Sequence, residues 1–295
     1  MMDATGFSVI DRSIVPGKDL GERDLLLDAQ LVDRYVETLG LRHRWYSSES
    51  PWGGHIAPLA ALYEAEAGFD GNHFANRFGE LWIRQEWEFL KAVQLGDRLR
   101  VAAVVKDVYK RKDRTVVATA YTMTSTLGRT VARSVHHNSF LVDQQGGEVR
   151  LPDPKDRKRA KQRSEPEGES IGELATTITL AMCDAFYSGD ENYHTDPTAA
   201  AELGFSDVVI GAGMTTAYIF ELMVERFGRG WLEGGRADLK FINVLNPDEQ
   251  FSSTGVITGR TKEREGLGRT HTTVWSAKAD GTKIIVGEAS ALDVS

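Results

Sequence analysis

GAGMTTAYIFELMVERFG, residues 211–228, reads as a helix built to be buried. Its first turns are apolar on nearly every side, and charge arrives only at Glu221, Glu225 and Arg226, whereas a surface helix would carry a single apolar stripe throughout. Upstream, GGHIAPLAALYEAEAGF, residues 53–69, has the same design: paired glycines at the start, Pro58 in a first turn that has no need of its amide, an alanine- and leucine-rich body, and Gly68 near the end. Two helices of this kind in one chain predict two central helices, each needing something wrapped around it.

Each is followed by alternating, β-branched segments. After the first come residues 81–90, 98–109, 115–126 and 130–142; after the second come 236–244, 250–260, 270–277 and 282–294. Leu127-Gly128 and Ala279-Asp280-Gly281 are hairpin signals, because the tight turns between twisted strands need positive φ, so the strands are expected to run antiparallel. The two sets match locally as well. Phe89-Leu90-Lys91-Ala92-Val93-Gln94 has the character, position by position, of Phe241-Ile242-Asn243-Val244-Leu245-Asn246, and an acidic residue, Asp97 or Glu249, follows each.

Between the two sets, GGEVRLPDPKDRKRAKQRSEPEGESIG, residues 146–172, lacks apolar periodicity, holds three prolines, and passes from a basic block to an acidic one. The expected organisation is therefore a duplicated α+β unit: residues 1–145, a charged linker over 146–172, and residues 173–295. Each unit is expected to be a curved antiparallel sheet wrapped around a central helix, the two sheets paired edge to edge so that no open edge remains between them.

The chain has 295 residues, 41% hydrophobic and 26% charged, ordinary for globular domains. A formal charge of −8 offers no general field for nucleic acid or an anionic membrane. No run approaches the length that crosses a bilayer as a helix. A single cysteine, Cys183, precludes a disulfide within the chain, and MMDATGFSVIDRS lacks the basic start and apolar core of a signal peptide, so the expected compartment is the cytoplasm. His136 and His137 are neighbours in a strand and point to opposite faces, no spacing suggests a metal site, and Gly211-Ala212-Gly213 lacks the rest of a dinucleotide fingerprint. Neither a metal nor a redox cofactor is expected.

The chemistry is concentrated just before the second helix, in Tyr187-Ser188-Gly189-Asp190-Glu191-Asn192-Tyr193-His194-Thr195-Asp196-Pro197. This segment resembles the hydratase motif of the MaoC-like family, roughly S-G-D-x-N-P-x-H-x-D-P, and the following AAAELGFSDVVIGAGMTTAY is similar to the family's approach to its helix. One departure stands out. Here the histidine follows the aspartate by four residues instead of five, and Tyr193 stands where proline and an aliphatic residue would be.

The resemblance implies a double hotdog fold and the hydration or dehydration of an acyl thioester, with coenzyme A as part of the substrate. Asp190 and His194 would handle the water, and the Gly213 N–H would hold the thioester carbonyl from a helix N-terminus. Asn192 would order the loop, and Asn192, Tyr193 and Gly211, with Trp52 and His55 from the first half, are expected around the substrate. The first half has no aspartate–histidine pair of this kind, so it is expected to have lost catalysis and to line the acyl tunnel. The basic run 155–163 is a candidate contact for coenzyme A phosphates.

Two other functions stay open on sequence. Trp52-Gly53-Gly54-His55-Ile56-Ala57-Pro58-Leu59 is similar to the entry of hotdog thioesterases, and the shortened spacing would also suit a non-catalytic acyl-binding partner of a heteromeric hydratase. The expected assembly is a dimer of double hotdogs or a pseudo-dimeric monomer.

Overall fold

The computed structural model describes residues 14–69, 78–141, 147, 149, 166–263 and 266–294. The basic run 155–163 lies outside the described residues. The first half contains β1 (Asp19–Leu26), α1 (Ala29–Leu39), a 3₁₀ helix over Leu59–Ala65, and strands β2 (Leu81–Phe89), β3 (Arg98–Arg111), β4 (Arg114–Ser125) and β5 (Thr130–Phe140). The second contains β6 (Glu169–Thr177), α2 (Leu180–Phe186), α3 (Pro197–Glu202), α4 (Ala212–Phe227), α5 (Arg229–Leu232), β7 (Arg236–Phe241), β8 (Gln250–Lys262), β9 (Gly268–Lys278) and β10 (Lys283–Asp293).

All ten strands form one antiparallel sheet in the order β1-β3-β4-β5-β2-β7-β10-β9-β8-β6. The halves meet at β2 and β7, where Arg84 lies opposite Lys240 and Glu88 opposite Arg236. Arg84 also grips Asp238 across this seam through two parallel hydrogen bonds of 2.7 Å. The molecule is a double hotdog: one long sheet folded around two central segments.

Of those segments, α4 is buried over Met214–Val224, as its apolar sequence requires. Its Phe220 packs edge-on against Phe89 and Trp231, so side chains from both halves fill one core. The expected hairpin turns are present, with Gly128 at φ 74° and Gly281 at φ 82°.

The duplication is visible in the backbone hydrogen bonds. The amides of Leu90 and Lys91 both donate to the Val131 carbonyl, and those of Ile242 and Asn243 both donate to that of Ile284. The Gln94 amide donates to Asp97 Oδ2 at 2.8 Å, and the Asn246 amide to Glu249 Oε2 at 2.8 Å. Ala57 N–H binds the Val93 carbonyl as Ile210 N–H binds that of Leu245, both at 2.9 Å. This equates Pro58 with Gly211, and the two share one conformation, φ −55° and ψ 133° against φ −60° and ψ 134°.

Three expectations need correction. The helix expected from Gly53 does not start there. Residues 53–57 are drawn out along the connection after β2: Ile56 bridges Gln94, the Leu95 amide donates to His55 O, and Gln94 Nε2 donates to the carbonyls of Trp52 and Gly53. Helical structure begins only after Pro58 and is 3₁₀. Long-range pairing has overridden a local helix pattern. Each half also carries a first strand, β1 or β6, and a short helix, α1 or α2, that were not foreseen; β6 begins at Glu169, inside the expected linker. The short helices are equivalent in design, capped by Asp28 and Thr179 through bonds to the amide three residues on.

Candidate active site

The loop after α2 is held by its own short polar side chains. Ser188 and Gly189 turn through left-handed conformations at φ 58° and 78°. Asn192 accepts from the His194 amide at 2.8 Å and donates to the Asp190 carbonyl at 3.0 Å, which Thr195 Oγ1 also reaches at 2.7 Å. Asp196 caps α3 by accepting from the Ala199 amide at 2.7 Å, with Pro197 in the first helical position.

This bracing fixes the histidine. His194 Nδ1 lies 2.6 Å from the Val209 carbonyl, which can only accept, so Nδ1 carries the proton and Nε2 is the acceptor nitrogen of the neutral ring. The ring stacks on Tyr187 at 4.8 Å between centroids, with 8° between planes, and Tyr193 covers it at 3.8 Å. Burial raises the Tyr187 phenol well above its ordinary pKa, keeping it protonated.

Tyr187 Oη in turn presses on Gly211, where a Cβ would fall 2.0 Å from it. At Gly213 a Cβ would meet the Tyr63 ring at 3.5 Å, an ordinary contact. Gly211 caps α4 without a side-chain hydrogen bond, and the first amides of an α-helix have no carbonyl of their own helix to bind. Ala212 and Gly213 therefore present N–H groups at the positive end of a sixteen-residue helix.

His194, Tyr187 and Gly213 line a cavity of about 1250 Å³. The first half supplies the facing wall, including Tyr63, Glu64 and Trp82. Trp82 stacks on His136 at 4.3 Å. Behind it lies a buried polar cluster in which the Glu66 carboxylate meets His136 Nδ1 at 2.8 Å, Gln85 Nε2 at 2.6 Å and Ser134 Oγ at 2.5 Å. The hairpin tip, with Arg111, Lys112 and Asp113 exposed and Arg114 half-buried, and Lys278 border the same cavity.

The expected site residues are thus divided. His194, Tyr193, Gly211 and Gly213 come together at the cavity. Asp190 does not join them: it is exposed, outside the cavity wall, and contributes its backbone carbonyl to the loop brace. With one residue fewer before the histidine, the chain keeps the register of His194 and leaves the aspartate at the surface. Asn192 braces the loop and is not in the wall.

His55 is exposed and also absent from the wall. Trp52 packs on Trp45 and donates from Nε1 to Glu233 at 2.8 Å, so it too lies elsewhere. Sequence reasoning missed Tyr187, Tyr63, Glu64 and Trp82. Glu64 left a signal shared with Glu66, two carboxylates within the otherwise apolar ALYEAEAGF.

In the first half the corresponding position is closed. Tyr193 accepts at its carbonyl from Val209 N–H as Trp45 does from Ile56 N–H, which makes Tyr46 the counterpart of His194. Tyr46 Oη donates to Glu221 Oε2 at 2.9 Å, and Glu221 Oε1 takes the amides of Arg42 and His43 at 2.6 and 2.8 Å. Among the described residues no group of three or more His, Cys, Asp and Glu side chains is arranged to hold a metal, and no helix is long and apolar enough to cross a membrane.

A double hotdog in which the His194 imidazole and an open helix N-terminus share one cavity is the class that fold and site define. Compared by sequence, the chain matches no protein-family model and none of the curated proteins. Compared by structure, its neighbours are MaoC-like dehydratases and double hotdog proteins. A MaoC-like dehydratase superposes with a TM-score of 0.72 at 14% identity, covering 95% of this chain and 98% of its own. One from Phytophthora capsici gives 0.70 at 16%, covering 96% and 97%. A double hotdog protein of Mycobacterium tuberculosis that is essential for bacterial survival during infection gives 0.64 at 12%, covering 94% and 96%. At these identities the likeness carries the fold.

Proposed function

We propose that the protein is a hydratase or dehydratase interconverting 2-enoyl and 3-hydroxyacyl thioesters, in which His194 Nε2 orients the reacting water and the Gly213 N–H, at the start of α4, holds the thioester oxygen as it gains enolate charge. The observation that carries this reading is the tautomer lock: an imidazole fixed through Nδ1 on the Val209 carbonyl, lining the cavity together with the N-terminal glycines of a buried helix. The structural neighbours named dehydratases support it. A cavity of about 1250 Å³ has room for an acyl chain with part of its carrier. The bordering Arg111 and Lys112 suit a phosphate-bearing carrier such as coenzyme A.

The test is a panel of trans-2-enoyl-CoA and 3-hydroxyacyl-CoA thioesters of short to long chain, followed through loss or gain of the conjugated double bond. Wild type interconverts the two, and His194→Ala lowers kcat by at least about a hundredfold, the usual contribution of a positioned acid–base group. Release of free thiol without change at the double bond would instead make the protein a thioesterase. Binding without either reaction would make it an acyl-binding protein.

A further inference from the structure

We propose that Glu64, from the first half of the chain, is the catalytic carboxylate that works with His194, in the place the sequence pattern gives to Asp190; this rests on the hydration reading above. Glu64 lines the cavity that His194 lines, and Asp190 does not. Its carboxylate is pinned on two sides, by Arg34 Nη2 at 3.2 Å and by the Tyr35 hydroxyl at 3.3 Å. The same two residues dock onto the histidine loop. Arg34 Nη1 donates to the Phe186 carbonyl at 3.3 Å, Tyr35 meets the Phe186 ring edge-on at 4.8 Å, and the next residue, Tyr187, is the ring stacked on His194.

The internal duplication supplies an independent argument. In the closed half, Tyr46 occupies the position of His194, and its polar partner is Glu221, a carboxylate from the central helix of the opposite half. Glu64 is the corresponding feature turned around: a carboxylate from the central 3₁₀ helix of the first half, facing the second half's loop. Glu221 is the tenth residue after Gly211 and Glu64 the sixth after Pro58. At about 1.5 Å per α-helical residue and about 2.0 Å per 3₁₀ residue, these lie at similar depths, about 15 and about 12 Å from the equivalent caps.

The wall's other carboxylates are placed differently. Glu80 accepts from Asn138 Nδ2 at 2.6 Å on the strand side, and Asp113 is at the exposed hairpin tip.

In hydration, a water held between Glu64 and His194 Nε2 gives a proton to the Glu64 carboxylate as its oxygen bonds to C3. The π electrons of C2=C3 move onto the thioester carbonyl, whose oxygen takes the charge at the Gly213 N–H. The enolate then collapses, and Glu64 returns the proton to C2. One O–H bond breaks, C3–O and C2–H form, and the protein ends unchanged; dehydration is the reverse.

The measurement compares kcat and KM on the best trans-2-enoyl-CoA for wild type, Glu64→Gln, Arg34→Met, Asp190→Asn and His194→Ala. Glu64→Gln is expected to lower kcat at least a hundredfold with KM within about threefold, while binding a saturated acyl-CoA as wild type does, which shows that the pocket is intact. Asp190→Asn is expected to stay within about twofold of wild type. Arg34→Met removes one of the two groups that pin the carboxylate and is expected to lower kcat at least about tenfold with KM within about threefold, a split that a merely structural Glu64 would not produce.

A Glu64→Gln enzyme of near-normal rate beside an inactive His194→Ala would overturn the assignment of Glu64 and leave the hydration reading standing. Full activity in both variants, or no hydration by wild type, would overturn both.

Discussion

Two glycines two residues apart at the head of α4 carry different burdens. At Gly211 a methyl group would strike Tyr187 Oη, and that ring is the platform under His194. At Gly213 the methyl has ordinary space against Tyr63 but stands beside the amide assigned to the thioester oxygen. Gly211→Ala is therefore expected to lower both Tm and activity, and Gly213→Ala to keep its Tm within a degree or two while kcat falls by at least tenfold, as paired thermal melts and hydration rates will show. The histidine and these glycines were legible in the sequence because their surroundings are local: a loop braced by its own Asn192 and Thr195, then a helix start. Glu64, Tyr63 and Trp82 were not, since they come from the other half, and the fold alone brings them to the cavity. Asp190 matched the motif in kind, but a motif records spacing and not placement, and its side chain is exposed and outside the wall.

Between elements, one polar tie is Glu221 on α4, which accepts two amides and a phenol from residues 42–46. Burial raises its pKa, and the Arg42, Tyr46 and His43 hydrogen bonds counter this only in part. The sign follows from proton binding. With the folded pKa above the unfolded one, the folded protein holds more protons in the interval between them, so stability is greater below that interval and falls as pH rises through it. Glu221→Gln is expected to flatten this slope in urea titrations run from acid to neutral pH. Glu221→Ala, which leaves three donors, two of them buried, without their acceptor, should cost on the order of 3 kcal/mol. Eight of the ten strands, all but β1 and β6, were read from alternation nearly to their ends. The helix expected over residues 53–69 was not, because pairing of 55–57 with 93–95 outweighs what the local pattern favours.

For the molecule as a whole, the duplication was legible in the order of elements and in the match of residues 89–94 to 241–246, which the paired hydrogen bonds reproduce. What the order could not show is that the repeats diverged at their helix caps, Pro58 against Gly211, and at the facing loop residue, Tyr46 against His194. The linker placed by composition overlaps β6, whose charged, edge-strand sequence resembles a connector when read alone.

Tyr46 is already held by Glu221, so among the described residues it is the His194 corner, of the two quasi-equivalent ones, that opens on the cavity. Isothermal titration with a tight, unreactive acyl thioester should therefore saturate at a single equivalent per polypeptide, with no second binding phase, although the architecture repeats twice. Under the proposed function, fusion of the repeats in one chain fixes that stoichiometry: each His194 corner is always delivered together with its Tyr46 counterpart.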